Sequence, residues 1–172
     1  CENKQCNLCP SNTYSKNGMC VNCPEYKPST AGHVGRSSVD MCFSCGAGNG
    51  LINGKCQACP SNTYNVYGSK KCTPCPDNKP STFGKRGANH VTYCKPCKPG
   101  YGLIGGKCQE CPENTYNPDG RKTCIKCPNG KLTYGYKGAK SIDSCNTGKV
   151  DDVLKKLDAA KEIHNDIAIK NS

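Results

Sequence analysis

The chain has 172 residues, 18 of them cysteine, with 19 Gly, 12 Pro, no Trp and a formal charge of +11. Cysteine above one residue in ten is the level of a disulfide scaffold, while Leu, Ile, Val and Phe make up only about an eighth of the chain, too little for an ordinary core. A Rossmann domain, a barrel, a helical bundle and a large enzyme with a buried pocket are thereby excluded. No run approaches the ~18 apolar residues of a membrane span, so a soluble segment is expected.

The cysteines stand at 1, 6, 9, 20, 23, 42, 45, 56, 59, 72, 75, 94, 97, 108, 111, 124, 127 and 145; sixteen form CxxC doublets, and Cys1 and Cys145 stand alone. Their spacing recurs with a period of about 52 residues and divides the chain into tandem units. The first, a shortened repeat over 1–42, carries CNLCPSNTYSKNGMCVNCPEYKPSTAG from Cys6. The second, 43–94, carries GLINGKCQACPSNTYNVYGSKKCTPCPDNKPSTFG from Gly50, and the third, 95–145, carries GLIGGKCQECPENTYNPDGRKTCIKCPNGKLTYG from Gly102. Within each unit Asn-Thr-Tyr is followed by a glycine four residues after the tyrosine, at Gly18, Gly68 and Gly120, suited to a tight turn with positive φ. Tyr14, Tyr64 and Tyr116 are expected to pack on a neighbouring disulfide; the alternative is an aromatic ladder for sugar rings or bases. Short strand pairs bounded by Pro and Gly are predicted, with little helix before residue 148.

A helix is predicted over 149–170, where Val153, Leu157, Ala160, Ile163 and Ile167 recur at helical spacing between charges. It would serve as a self-association seam, as a spacer, or as a segment folded back on the last unit. The chain ends on Asn171 and Ser172, small residues of the kind that accept a glycolipid. Its start on Cys1, without a leader, is what a mature or trimmed product would show. The predicted fold class is therefore small and disulfide-rich: an elongated tandem array of short β-hairpin and loop modules with little regular secondary structure, plus one C-terminal α-helix.

Two chemistries use CxxC arrays. Zinc takes two doublets as four thiolates, whereas a disulfide module uses the doublet as a joint between successive loops. Pairing doublets only with each other strands Cys1 and Cys145, while pairing each cysteine with its neighbour across the longer gap uses all 18. The expected bonds are then Cys1–Cys6, Cys9–Cys20, Cys23–Cys42, Cys45–Cys56, Cys59–Cys72, Cys75–Cys94, Cys97–Cys108, Cys111–Cys124 and Cys127–Cys145. Spacing does not fix connectivity, so crossed pairings and zinc stay open at this stage. Nine disulfides would require an oxidising compartment, secreted or on a cell surface.

The stretch CQACPSNTYNVYGSKKCTPCPDNKPSTFGKRGANHVTYCKPC resembles the ephrin-receptor-like cysteine-rich repeat, a relative of EGF-like and tumour-necrosis-factor-receptor modules. That pattern runs CxxCPxGTY, a second CxxCPxxS/T, and a glycine before the next cysteine pair. Here Asn12, Asn62 and Asn114 stand where the family has Gly. Such modules occur in receptors, adhesion proteins and protist coats, and the resemblance carries over no ligand-binding residue. With 21 Lys to 3 Arg and 17 Asn, the chain is also similar to ciliate immobilisation antigens, which are lipid-anchored coat proteins. It resembles, further off, flagellate variant surface proteins and the CxxC-rich lectin subunits of amoebae.

All of the positive charge lies in residues 1–148, since 149–172 holds five lysines and five acids. A basic array of this kind suits an anionic glycan or membrane surface, although its adjacent basic residues come only in pairs, at Lys70-Lys71, Lys85-Arg86 and Arg121-Lys122. Nucleic acid is not expected in that compartment. No Asn-x-Ser/Thr sequon occurs. His33, His90 and His164 share no motif with a nucleophile or carboxylate, so no catalytic, cofactor-binding or metal site is expected. The functional expectation is a non-enzymatic surface coat protein, lipid-anchored. The alternatives are a receptor or lectin ectodomain reading its ligand through loops such as 76–93, and a filament subunit assembling through the tail helix.

Overall fold

Residue pairs that tolerate positive φ set the hairpins. In the computed structural model, which describes residues 8–146, β1 (Thr13–Lys16) turns through Asn17-Gly18 into β2 (Met19–Asn22). β3 (Asn49–Ile52) turns through Asn53-Gly54 into β4 (Lys55–Ala58). Two shorter strands follow, β5 (Thr63–Tyr64) and β6 (Thr73–Pro74). β7 (Tyr101–Ile104) turns through Gly105-Gly106 into β8 (Lys107–Glu110), and β9 (Thr115–Tyr116) and β10 (Ile125–Lys126) repeat the shorter form. Both residues of each two-residue turn have positive φ, the type I′ geometry whose twist matches the flanking strands. The described strands make five antiparallel two-stranded sheets, in the order β1-β2, β3-β4, β5-β6, β7-β8 and β9-β10. Helix is confined, among the described residues, to short 3₁₀ turns at Val39–Met41, Val91–Tyr93, Pro128–Gly130 and Ile142–Ser144.

Eight disulfides close successive loops: Cys9–Cys20, Cys23–Cys42, Cys45–Cys56, Cys59–Cys72, Cys75–Cys94, Cys97–Cys108, Cys111–Cys124 and Cys127–Cys145. No described cysteine is free. Closing loops of this size removes roughly 2–4 kcal/mol of freedom per bond from the unfolded chain. The bonds stand in for a core, because the buried apolar side chains are cystine halves, Ala88 and Ala139, accompanied by Pro28 and Pro80.

The rest of the interior is polar and hydrogen-bonded. Asn65 and Asn117 are buried at 3 % and 0 % exposure. The Asn117 amide donates to the carbonyls of Tyr101, Arg121 and Thr123, and its Oδ1 accepts the Arg121 N–H. Asn65 does the same for Asn49, Ser69 and Lys71, and accepts the N–H groups of Gly68 and Ser69. Each asparagine organises the long excursion between a two-residue strand and its partner. In the first unit the Cys9–Cys20 loop spans 11 residues rather than 13; Ser15 takes the asparagine's place and β1–β2 zips into a full hairpin instead.

The joints between units repeat as well. Asn12 clasps Thr30 by donating its N–H to Oγ1 and accepting the Thr30 N–H on Oδ1, while its amide donates to the Gly54 carbonyl at 2.7 Å. Asn62 clasps Thr82 and reaches the Gly106 carbonyl at 2.8 Å in the same way. On the other side of each joint the Lys70 N–H donates to the Glu25 carbonyl and the Lys122 N–H to that of Asp77. The side chains of those pairs approach to 3.9 and 3.6 Å. These ion pairs are exposed and contribute under about 1 kcal/mol each.

No described helix is long and apolar enough to cross a membrane. The expected helix 149–170, the Cys1–Cys6 bond, His164, and the anchor residues Asn171 and Ser172 lie outside the described residues.

Candidate functional site

The segment after Cys97 brings three stretches of chain to one furrow. Lys98 to Tyr101 enter at the start of β7, Glu110 stands at the end of β8, and Tyr136 to Lys140 belong to the loop closed by Cys127–Cys145. Backbone bonds lock these stretches together: the Gly100 N–H donates to the Asn117 carbonyl, Cys111 to Gly100, Asn117 to Ala139, and Gly138 to Cys111. The strands can cross this closely because Gly100 lacks a Cβ, which would collide with the Gly138 carbonyl. The buried Asn117 cage thus fixes the floor of the site.

The furrow encloses about 360 Å³, lined by Lys98, Tyr101, Glu110, Tyr136, Lys137 and Lys140 among others. A second hollow of about 590 Å³ adjoins it, sharing Glu110 and Lys137 and running on past Gln109 to Pro112. The Lys98 ammonium sits over the Tyr101 ring, 4.1 Å from its centroid. The Tyr101 hydroxyl donates to Glu110 Oε1 at 2.9 Å. Tyr136 is 63 % exposed. Three ammonium groups against one carboxylate leave the furrow cationic.

The same frame recurs one unit earlier, where the corresponding positions hold Gly46, Asn49, Ala58, Lys85, Arg86 and Asn89. The aromatic pair and the carboxylate are absent there, Arg86 stands in place of Lys137 and Lys85 in place of Tyr136, and Lys85 lies over the Tyr93 ring at 3.9 Å. The combination of three lysines, two tyrosines and a carboxylate therefore belongs to the third unit. It was not visible in the sequence, where Lys98 lies about 40 residues from Lys137 and Lys140 and forms no basic run.

The other sequence-derived candidates fall elsewhere. Tyr14, Tyr64 and Tyr116 are half-buried in their strands, bridged by backbone to Arg36, Ala88 and Ala139. Gly18, Gly68 and Gly120 have positive φ. His90 caps a 3₁₀ turn by accepting the Thr92 N–H, and His33 closes a turn onto Thr30 through its backbone. Among the described residues no group of His, Cys, Asp or Glu is placed to hold a metal ion. The loop 76–93, expected to read a ligand, contributes Ser81, Phe83 and Gly84 to a mainly apolar groove against Gly105-Gly106.

Comparison with known proteins agrees with this architecture. Residues 100–145 match the family described as tyrosine-protein kinase ephrin type A/B receptor-like. The chain is 43 % identical over 68 residues to signal peptide, CUB and EGF-like domain-containing protein 3 of Homo sapiens, covering 37 % of this chain and 7 % of that protein. The Mus musculus counterpart matches to the same extent. Signal peptide, CUB and EGF-like domain-containing protein 2 of Danio rerio is 38 % identical over 65 residues, 36 % of this chain and 6 % of the relative. The chain spans less than a tenth of the length of these relatives. Its cysteine-rich repeats are similar to EGF-like and receptor-like modules.

Proposed function

We propose that the chain is a non-enzymatic extracellular ectodomain, in which disulfide-stapled repeats hold a binding furrow in the third unit. The observation that carries this reading is the bonding of every described cysteine into loop-closing disulfides, which persist only in an oxidising compartment. The receptor-like match over 100–145 supports it, because it falls on the unit that holds the furrow. Surface biotinylation with a membrane-impermeant reagent tests it. Labelling on intact source cells, or recovery from their medium, is expected; confinement to the cytosolic fraction would overturn it.

A second reading is favoured by the joints. Asn12–Gly54 and Asn62–Gly106 hold consecutive units in a fixed relation, as a covering rod on a cell surface requires. Under it the chain is a coat antigen carried on a glycolipid at Asn171 or Ser172. Mass spectrometry of the native C-terminus decides this: a glycolipid there supports the coat, and an unmodified continuation of the chain removes it. Self-assembly through 149–170 is a further proposal, tested by the oligomeric state of a chain lacking those residues.

A further inference from the structure

We infer that the furrow of the third unit is a binding site for a sulfated glycan; this rests on the ectodomain reading and gives it a ligand class. The groups present match three features of such a saccharide. Lys98, Lys137 and Lys140 offer three ammonium groups to sulfate oxygens. Tyr136 is an exposed aromatic ring on which the C–H face of a pyranose can stack. Glu110 and the Tyr101 hydroxyl, already joined at 2.9 Å, supply an acceptor and an oxygen to sugar hydroxyls.

Glu110 also favours a sugar over DNA. The Glu110 carboxylate opposes every polyanion alike, but it accepts hydrogen bonds from the hydroxyls of a sugar, which the backbone of DNA does not offer. The continuation past Gln109 to Pro112 gives room for more than one sugar ring, so an oligosaccharide fits better than a monosaccharide or an inorganic anion. The locked backbone beneath the site means that little order has to be gained on binding.

The test is binding of the full chain to a highly sulfated octasaccharide, its fully desulfated counterpart, an unsulfated single-stranded DNA of similar charge, and vesicles containing anionic phospholipid. The sulfated sugar is expected to bind at least tenfold more tightly than each of the others, with affinity falling as salt rises. Lys98→Ala with Lys137→Ala is expected to weaken it at least tenfold and Tyr136→Ala by about threefold or more. Lys16→Ala with Lys27→Ala, in the first unit, is expected to leave it unchanged. Retained amide NMR spectra would show that the variants are folded. Equal loss in the first-unit variant, equal binding of the desulfated sugar, or tighter binding of DNA or vesicles would overturn the glycan assignment. A chain labelled on intact cells that binds none of the probes leaves the ectodomain reading standing and removes only the ligand class.

Discussion

The Asn62 amide donates to the Gly106 carbonyl 44 residues away, at 2.8 Å, and so ties one repeat to the hairpin tip of the next. Asn62 holds φ 65, the left-handed region, and is itself clasped to Thr82. A glycine would satisfy the backbone there, but only an asparagine supplies both the clasp and the reach. Asn62→Gly should therefore leave each unit folded, lower stability by about 1–3 kcal/mol, and loosen the joint. Chemical denaturation reads the first effect and ¹⁵N relaxation of 45–94 against 97–145 the second. Unchanged relative tumbling would show that the ion-paired side of the joint suffices.

The Asn117 side chain makes four hydrogen bonds while fully buried, so its removal takes a donor from three carbonyls and an acceptor from one N–H. Asn117→Ala is expected to cost about 2–4 kcal/mol with the disulfides intact and to raise the exchange rate of the Arg121 amide. Because this side chain supports the floor of the furrow, ligand affinity should fall with it. A cost below about 1 kcal/mol would mean that water replaces the cage.

Gly102 and Gly50 face disulfides at close range. A Cβ on Gly102 would stand 2.7 Å from Cys124 Sγ, and one on Gly50 2.8 Å from Cys72 Sγ. Neither glycine needs a left-handed backbone, so the cost of Gly102→Ala is one of space: about 1–3 kcal/mol, with a reduced yield of correctly oxidised protein. Gly18→Ala is the contrast, since φ is +77 with nothing within 4 Å, and should cost about 1 kcal/mol through backbone strain alone. Thermal unfolding of the two variants checks the order; a larger loss for Gly18→Ala would reverse it.

Much of the fold was legible because turn chemistry is local. Gly18 with its neighbour Asn17, and the Pro- and Gly-bounded runs, announce short antiparallel hairpins and scarce helix, and the structure has both. The interior was less legible. Asn65 and Asn117 read as surface residues, since nothing in an asparagine's neighbours along the chain shows that four or five backbone groups will converge on its side chain once a loop closes. The Asn12 and Asn62 departures from the family's glycine were visible, yet their partners Gly54 and Gly106 lie more than 40 residues on. The furrow was hidden for the same reason. Lys98, Glu110 and Lys137 meet only because Gly100 lets two loops cross, a contact that hydropathy and charge runs along the chain do not encode.

The central claim is that loop-closing disulfides, each joining a cysteine to its neighbour across the longer gap, build this array. Partial reduction of the native protein with differential alkylation, followed by proteolysis and mass spectrometry, tests it most directly. The account predicts Cys59 joined to Cys72, Cys75 to Cys94, Cys111 to Cys124 and Cys127 to Cys145, with no free thiol in these loops. It also proposes Cys1 joined to Cys6. Crossed partners within 59–94 or 111–145, or free thiols accompanied by bound zinc, would contradict it.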